Sequence, residues 1–267
     1  MIVARRGGSS HRECVSLGTH HRESPKPHIM FDSTTATRRL AGLPEPEPLH
    51  PDLAACIVRR PGRLPALEHP LIVQAPYIPP LASYVNGLYA SLRGRAETTL
   101  ANRSYTEWLD MHAREFQARV LLDNAARIDH GVWWELVATV FRRELPWFDR
   151  PGGVWRKVLA CDKPLRQRFM TVPEAEAFAA LPANIEVWRP APVEDPDSAF
   201  SCYPDEVSAR SLAAAARQQL ERPAGSFVLL RGRLPRSRVI AVSLARGVTE
   251  LLALSSSVTG EQASGTL

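Results

Sequence analysis

Three polar residues stand at the ends of predicted strands in the last third of the chain. Arg189 closes the stretch Ile185-Glu186-Val187-Trp188-Arg189, Ser201 lies in the short extended piece Phe200-Ser201-Cys202-Tyr203, and Glu250 begins a final strand through Leu254. They supply a guanidinium with its planar fork of donors, a hydroxyl and a carboxylate, groups that bind and stabilise charge without a metal or a thiol. Taken singly, each has an ordinary explanation: a surface ion-pair partner, a turn residue, an edge-strand charge. Their weight lies in occurring together on three separate strands. The other reactive residues are less promising. Cys14, Cys56, Cys161 and Cys202 form no C-x-x-C pair, so they read as reduced thiols rather than a zinc site or a disulfide framework. His11, Cys14, His20 and His21 are close in sequence but lack any helical or strand period to hold a metal.

These candidates depend on the elements around them. From Leu81 the apolar residues Leu81, Tyr84, Val85, Leu88, Leu92, Ala96 and Leu100 follow a helical period. Ser104 and Glu107 are spaced as a capping box for a second helix carrying Trp108, Met111, Phe116 and Val120. Asp129 can cap a third helix with Trp133, Leu136, Val140 and Phe141, whose last turn holds Arg142 and Arg143. A short helix over 155–159 and another opened by Thr171-x-x-Glu174 and running to about Leu181 complete a helical region. Trp108, Trp133, Trp134, Trp147 and Trp155 read as its packing anchors. After Pro182 the pattern becomes that of strands: Ile185–Arg189, Phe227–Leu230, Arg238–Leu244 and Glu250–Leu254, with a helix from Pro204-Asp205 to about Arg222. The fold class is α+β, a helical region followed by a small split mixed or antiparallel sheet.

Four segments follow. Residues 1–65 are rich in Arg, Pro, Ser and His, contain Pro44-Glu45-Pro46-Glu47-Pro48, and read as a largely disordered extension in which Met30 could be the start. Residues 66–182 are the helical region, 183–254 the sheet domain, and 255–267 a small, polar, disordered tail. No run of apolar residues is long enough for a membrane span, and no signal-peptide stretch precedes the folded part, so the expected setting is cytoplasmic. The net charge of +5, from 33 basic against 28 acidic residues, permits an anionic partner without requiring one. Arg222, Arg231, Arg233, Arg236 and Arg238 fall on turns and strand ends without a nucleic-acid motif, which argues for solvated rims over a phosphate track.

The sheet segment resembles the mono-ADP-ribosyltransferases of the arginine–serine–glutamate class, in particular prophage and bacterial members. Ile185-Glu186-Val187-Trp188-Arg189 is similar to their first strand. The run Ser201-Cys202-Tyr203-Pro204-Asp205 with the following Ala-bearing helix is similar to their Ser-Trp-Thr segment, and Arg246-Gly247-Val248-Thr249-Glu250 to the loop and strand bearing their catalytic glutamate. Trp133-Trp134-Glu135-Leu136 and Met170-Thr171 resemble their N-terminal part, so the likeness covers roughly residues 69–254. It implies NAD as substrate, with transfer of ADP-ribose to a protein or small-molecule acceptor, or hydrolysis of NAD. It implies that Glu250 accepts a hydrogen bond from a ribose hydroxyl and offsets the developing oxocarbenium charge. Arg189 would orient a phosphate, Ser201 would hold the strand edge at the nicotinamide end, and Tyr203 would place a phenol beside the pocket. No metal or membrane enters that chemistry.

Four positions depart from the family pattern. Pro190 replaces the usual Gly after the arginine, Cys202 the Trp, and Tyr203 the small hydroxyl residue, while Val248 stands two residues before Glu250 where active relatives often carry Glu or Gln. These changes raise a second expectation, a catalytically degenerate binding module of the same fold. A third is a nucleic-acid-associated structural protein. Arg189, Ser201 and Glu250 converging on one cleft with Tyr203 turned away would favour catalysis; Tyr203 or Pro190 filling that cleft would favour the binding module.

Overall fold

The computed structural model describes residues 47–144, 153–219 and 221–266. Most of the expected N-terminal extension, with His11, Cys14, His20, His21 and Met30, therefore lies outside the described residues, as does Trp147. The chain opens with α1 (Pro51–Ala54) and a small antiparallel sheet in the order β1 (Ile57–Val58), β2 (Ala66–His69), β3 (Ile72–Gln74). Residues 47–65 are thus part of the fold, where the Pro-rich composition had led to disorder. Leu53 and Leu67 are fully buried and pack with Ile72, Tyr77, Val85 and Tyr89. Burial of a few large side chains stabilises a segment that its composition alone does not.

The helical region follows: α2 (Ala82–Ala101), α3 (Tyr105–Asp110), α4 (Gln117–Asp123), α5 (Trp133–Glu144), α6 (Val154–Leu159) and α7 (Val172–Ala179). In α2 the buried positions are Ala82, Val85, Tyr89, Ala96 and Leu100, while Tyr84 is 69% and Leu88 37% exposed. The expected second helix is broken in two. Ser104 makes no side-chain cap, and the chain turns after Asp110 through a short 3-10 segment. Buried Gln117 satisfies the carbonyls released at the break, donating to Leu109 O (3.0 Å) and His112 O (3.1 Å). Trp108, Trp133, Trp134 and Trp155 are all buried, and each removes on the order of 200 Å² from water, about 5 kcal/mol before entropic costs.

Beyond Ala179 come β4 (Asn184–Pro192), β5 (Ser201–Cys202), α8 (Glu206–Gln219), β6 (Phe227–Pro235), β7 (Ala241–Ser243), β8 (Glu250–Leu252) and β9 (Thr259–Thr266). They form two three-stranded antiparallel sheets, in the orders β4-β6-β9 and β5-β8-β7. The fold is α+β, with the helical region leading into small antiparallel sheets. The segment expected as a disordered tail supplies β9, a polar edge strand whose backbone pairs with β6 across two register shifts. No boundary separates helices from sheet: Glu45–Leu267 is one unit by its internal contacts. Its largest apolar cluster joins Trp133, Trp155, Phe141 and Phe169 to Phe200, Ala241 and Leu252.

Among the described residues, one isolated bridge joins the two sheets. Trp188 and Tyr203 exchange both backbone hydrogen bonds at 2.8 Å. Two residues further on, Pro190 turns its nitrogen, which has no hydrogen to donate, toward the same side, so the pairing ends there. Its other edge remains in register with β6, opposite Leu229. Pro190 does not terminate β4 as the sequence pattern suggested; it terminates the contact between the sheets.

Candidate functional site

Alternation along the strands decides which candidates meet. Ser201 is opposite Leu252 and Cys202 opposite Leu251; one further step of that register sets Tyr203 opposite Glu250, and Glu250 is itself paired with Ser243. Cys202 and Leu251 are fully buried in an apolar cluster with Ile185, Val187, Leu234 and Val242. Ser201, Tyr203, Glu250 and Ser243 consequently share the other face, and all four are 0% exposed. Trp188, paired with Tyr203, belongs to the same face. The polar row Trp188, Tyr203, Glu250, Ser243 thus crosses four strand positions.

The contacts follow from that row. Ser201 Oγ donates to Glu250 Oε1 at 2.5 Å. The Tyr203 hydroxyl reaches the same oxygen at 3.4 Å. Arg246, in the loop between β7 and β8, folds back so that Nη1 donates to Glu250 Oε1 (2.9 Å) and to the Tyr203 hydroxyl oxygen (3.1 Å). The turn behind this fold-back uses Gly247 at φ +72°, a conformation that glycine adopts without steric cost, with its N–H donating to Leu244 O at 3.0 Å. Glu250 Oε2 is buried and meets no hydrogen-bond partner among the described residues. Burial raises the pKa of Glu250 against the opposing pull of Arg246, Ser201 and Tyr203. Burial, then the charge of Glu250, pushes the Tyr203 phenol well above its ordinary value. Val248, Trp188 and Leu212 pack against Tyr203, Ala209 and Leu229, so α8 and the loop close over this face.

Arg189 is not brought to the cluster. One residue beyond Trp188, it points to the opposite face and is 1% exposed. Its Nη1 donates to Pro196 O (2.6 Å) and Ala199 O (3.1 Å), which pins the loop between β4 and β5. Of the four candidates, then, Ser201, Tyr203 and Glu250 converge and Arg189 does not. Tyr203 lies over the carboxylate rather than turned away, and Cys202 is a core residue. The residue missed by sequence reasoning is Arg246. Its signal was a basic residue four before Glu250 with a glycine between, the pattern of a hairpin loop able to fold back.

Among the described residues no group of three or more His, Cys, Asp or Glu is placed to hold a metal ion. Cys56 and Cys161 are free thiols. No helix among the described residues is long and apolar enough to cross a membrane. Several rim arginines are engaged: Arg222 with Glu194 (2.7 Å), Arg231 with Glu186, and Arg236 with the carbonyls of Ala179 and Leu181. An open depression of about 490 Å³ is lined by Asn184, Ile185, Glu186, Arg233, Pro235 and Thr259, and no residue of the Glu250 cluster lines it.

Comparison of the chain with protein-family models, with curated proteins and with solved structures gave no match in any of the three.

Proposed function

We propose that the sheet region is a nucleotide-recognition module of the ADP-ribosyltransferase type whose catalysis has been silenced. Support for the type comes from the sequence resemblance, together with the Ser201–Glu250 hydrogen bond across adjacent strands. The observation that carries the silencing is the sealed carboxylate: Glu250 is 0% exposed, with Tyr203 and Arg246 on the same oxygen as Ser201. Stabilising an oxocarbenium ion requires a carboxylate within reach of the ribose and free to gain interaction as charge develops. Here one oxygen is already crowded by donors and the other is enclosed. An active transferase would need Tyr203 and Arg246 to leave the carboxylate. It would also need a phosphate partner other than Arg189, whose guanidinium holds a loop on the opposite face.

Labelled NAD incubated with the full chain and with a Glu250→Ala variant tests this reading, beside equilibrium dialysis of NAD against both. The expected result is retention of NAD by the wild-type chain with indistinguishable label release and transfer in the two samples. Faster release by the wild-type chain than by the variant would show that Glu250 is catalytic. Absence of any NAD retention would remove the nucleotide reading itself.

A further inference from the structure

Far from the sheet region in sequence, residues 48–54 lie along α2 as a strap. Asn86 holds it with both ends of its carboxamide: Nδ2 donates to Pro48 O (3.0 Å) and Oδ1 accepts from the His50 N–H (2.8 Å). Further along the same helix face, the Tyr89 hydroxyl donates to Asp52 Oδ2 (2.9 Å) and Arg93 Nη1 donates to the same oxygen (3.2 Å). The strap thereby seats Leu53, fully buried, among Leu67, Ile72, Tyr77, Val85 and Tyr89. Two histidines grip the buried Tyr89 ring, His50 tilted with its centroid at 5.1 Å and His69 edge-on at 5.0 Å. Each uses Nδ1 as an acceptor. His50 takes the Asp52 N–H (3.2 Å) at the start of α1, and His69 takes the Leu71 N–H (3.1 Å) between β2 and β3. An imidazolium has no lone pair, so protonation breaks either bond.

We infer that the strap is an acid-released clasp: neutral His69 holds Tyr89 beneath residues 48–54, and protonation of His69 frees them from α2. The two histidines do not respond alike. His50 has Asp52 Oδ2 at 3.7 Å and a side chain 40% exposed, so a proton there gains an ion pair in exchange for the lost bond. His69 is half-buried and has no carboxylate of its own. Asp52 already serves Tyr89 and Arg93, and Glu68, on the opposite face of β2, is paired with Arg60 at 2.7 Å. Burial lowers the pKa of His69; Asp52 opposes that shift, while His112, Arg93 and His50 add to it. His112 is buried beyond α3 and gives its Nδ1 hydrogen to Trp108 O (2.8 Å); burial lowers its pKa too, against that hydrogen bond. With a folded pKa below the unfolded one, the contribution of His69 is complete above the unfolded value and is lost as pH falls through the folded one. Release uncovers the apolar seat of Leu53 on α2. No residue of the clasp belongs to the Glu250 cluster.

Amide hydrogen exchange on the full chain tests the clasp, read as protection factors so that the intrinsic pH dependence of exchange is removed. Between about pH 7.5 and about pH 5, protection of the amides of His50, Leu53 and Ala54 should fall at least about tenfold while that of α5 is kept. His69→Asn places a neutral acceptor close to the position of Nδ1 and cannot take up a proton, so its strap should stay protected at both pH values. Unchanged wild-type protection on acidification would overturn the inference. So would an equal loss in His69→Asn, or a loss shared equally by α5, which is global unfolding. Should His69→Asn not melt cooperatively, the His69 ring C–H resonance of the wild-type chain decides. Loss of strap protection must follow the His69 midpoint, and a loss centred elsewhere rejects the clasp.

Discussion

Two buried glutamates in this molecule have opposite surroundings. Glu174, 3% exposed, sits where α7 meets β7 and uses both oxygens. Its Oε2 accepts from the Thr171 N–H (2.7 Å), the Thr171 hydroxyl (2.9 Å) and Arg142 (2.6 Å), and its Oε1 from the Leu244 N–H (3.0 Å). Burial alone would raise its pKa, but those donors outweigh burial and hold it below the ordinary glutamate value. Glu250 has three donors on Oε1 and none on Oε2, and its pKa is raised. The contrast separates two uses of a carboxylate. Glu174 ties helix to sheet and is saturated; Glu250 is sealed under its neighbours with one oxygen left without a partner among the described residues.

The comparison can be broken at either end. The largest effect is expected from Arg246→Met. It leaves Glu250 buried without its cation, at a cost of about 3–5 kcal/mol at neutral pH, measured by urea unfolding. That cost should shrink as pH falls and Glu250 takes up a proton; a loss independent of pH would show that Glu250 is already neutral. Glu174→Ala should cost less, about 3 kcal/mol, because Arg142 is 30% exposed and regains water when its partner is lost. The pH dependence also differs in sign. The folded pKa of Glu174 is depressed, so its contribution is present above the unfolded value and is lost as pH falls through the folded one. The folded pKa of Glu250 is raised, so its contribution is full below the unfolded value and is lost as pH rises through the folded one. Stability profiles of wild type and Glu174→Ala should therefore converge on acidification.

Much of this arrangement is legible in the sequence. The Thr171-x-x-Glu174 spacing marked the start of α7, and the structure forms that capping box. What it concealed was a tertiary use for the same carboxylate, since Leu244 is 70 residues away. The helical period of α2 was readable, but its phase was not. Leu81, Tyr84 and Leu88 and the set Val85, Tyr89, Leu92 and Ala96 both recur every three or four residues. The choice is made by Leu67 and Ile72 together with Leu53, the last in a segment whose composition resembles disorder.

The strand face of the site failed for a related reason. Ser201 and Tyr203 share a face by alternation alone. Whether Arg189 joins them depends on the pairing partner of Tyr203. The chain pairs Tyr203 with Trp188; a slip of one residue would have placed Arg189 beside Tyr203, on the face that carries Glu250. Register of that kind is fixed by packing on both faces, with Ile185 and Val187 claimed by one cluster and Trp188 by another. Arg246 was hidden because a loop arginine shows no period, and only the turn at Gly247 returns it to the strand.

Carbon-13 NMR titration of the glutamate side-chain carboxyls, with Glu250 assigned by its loss in Glu250→Ala, tests the sealed site most directly. A carboxylate closed under Tyr203 and Arg246 should titrate above the range of the exposed glutamates, with Glu174 below it. Glu250 titrating with the exposed glutamates would mean that water reaches it freely, and the account of a silenced, sealed site would be contradicted.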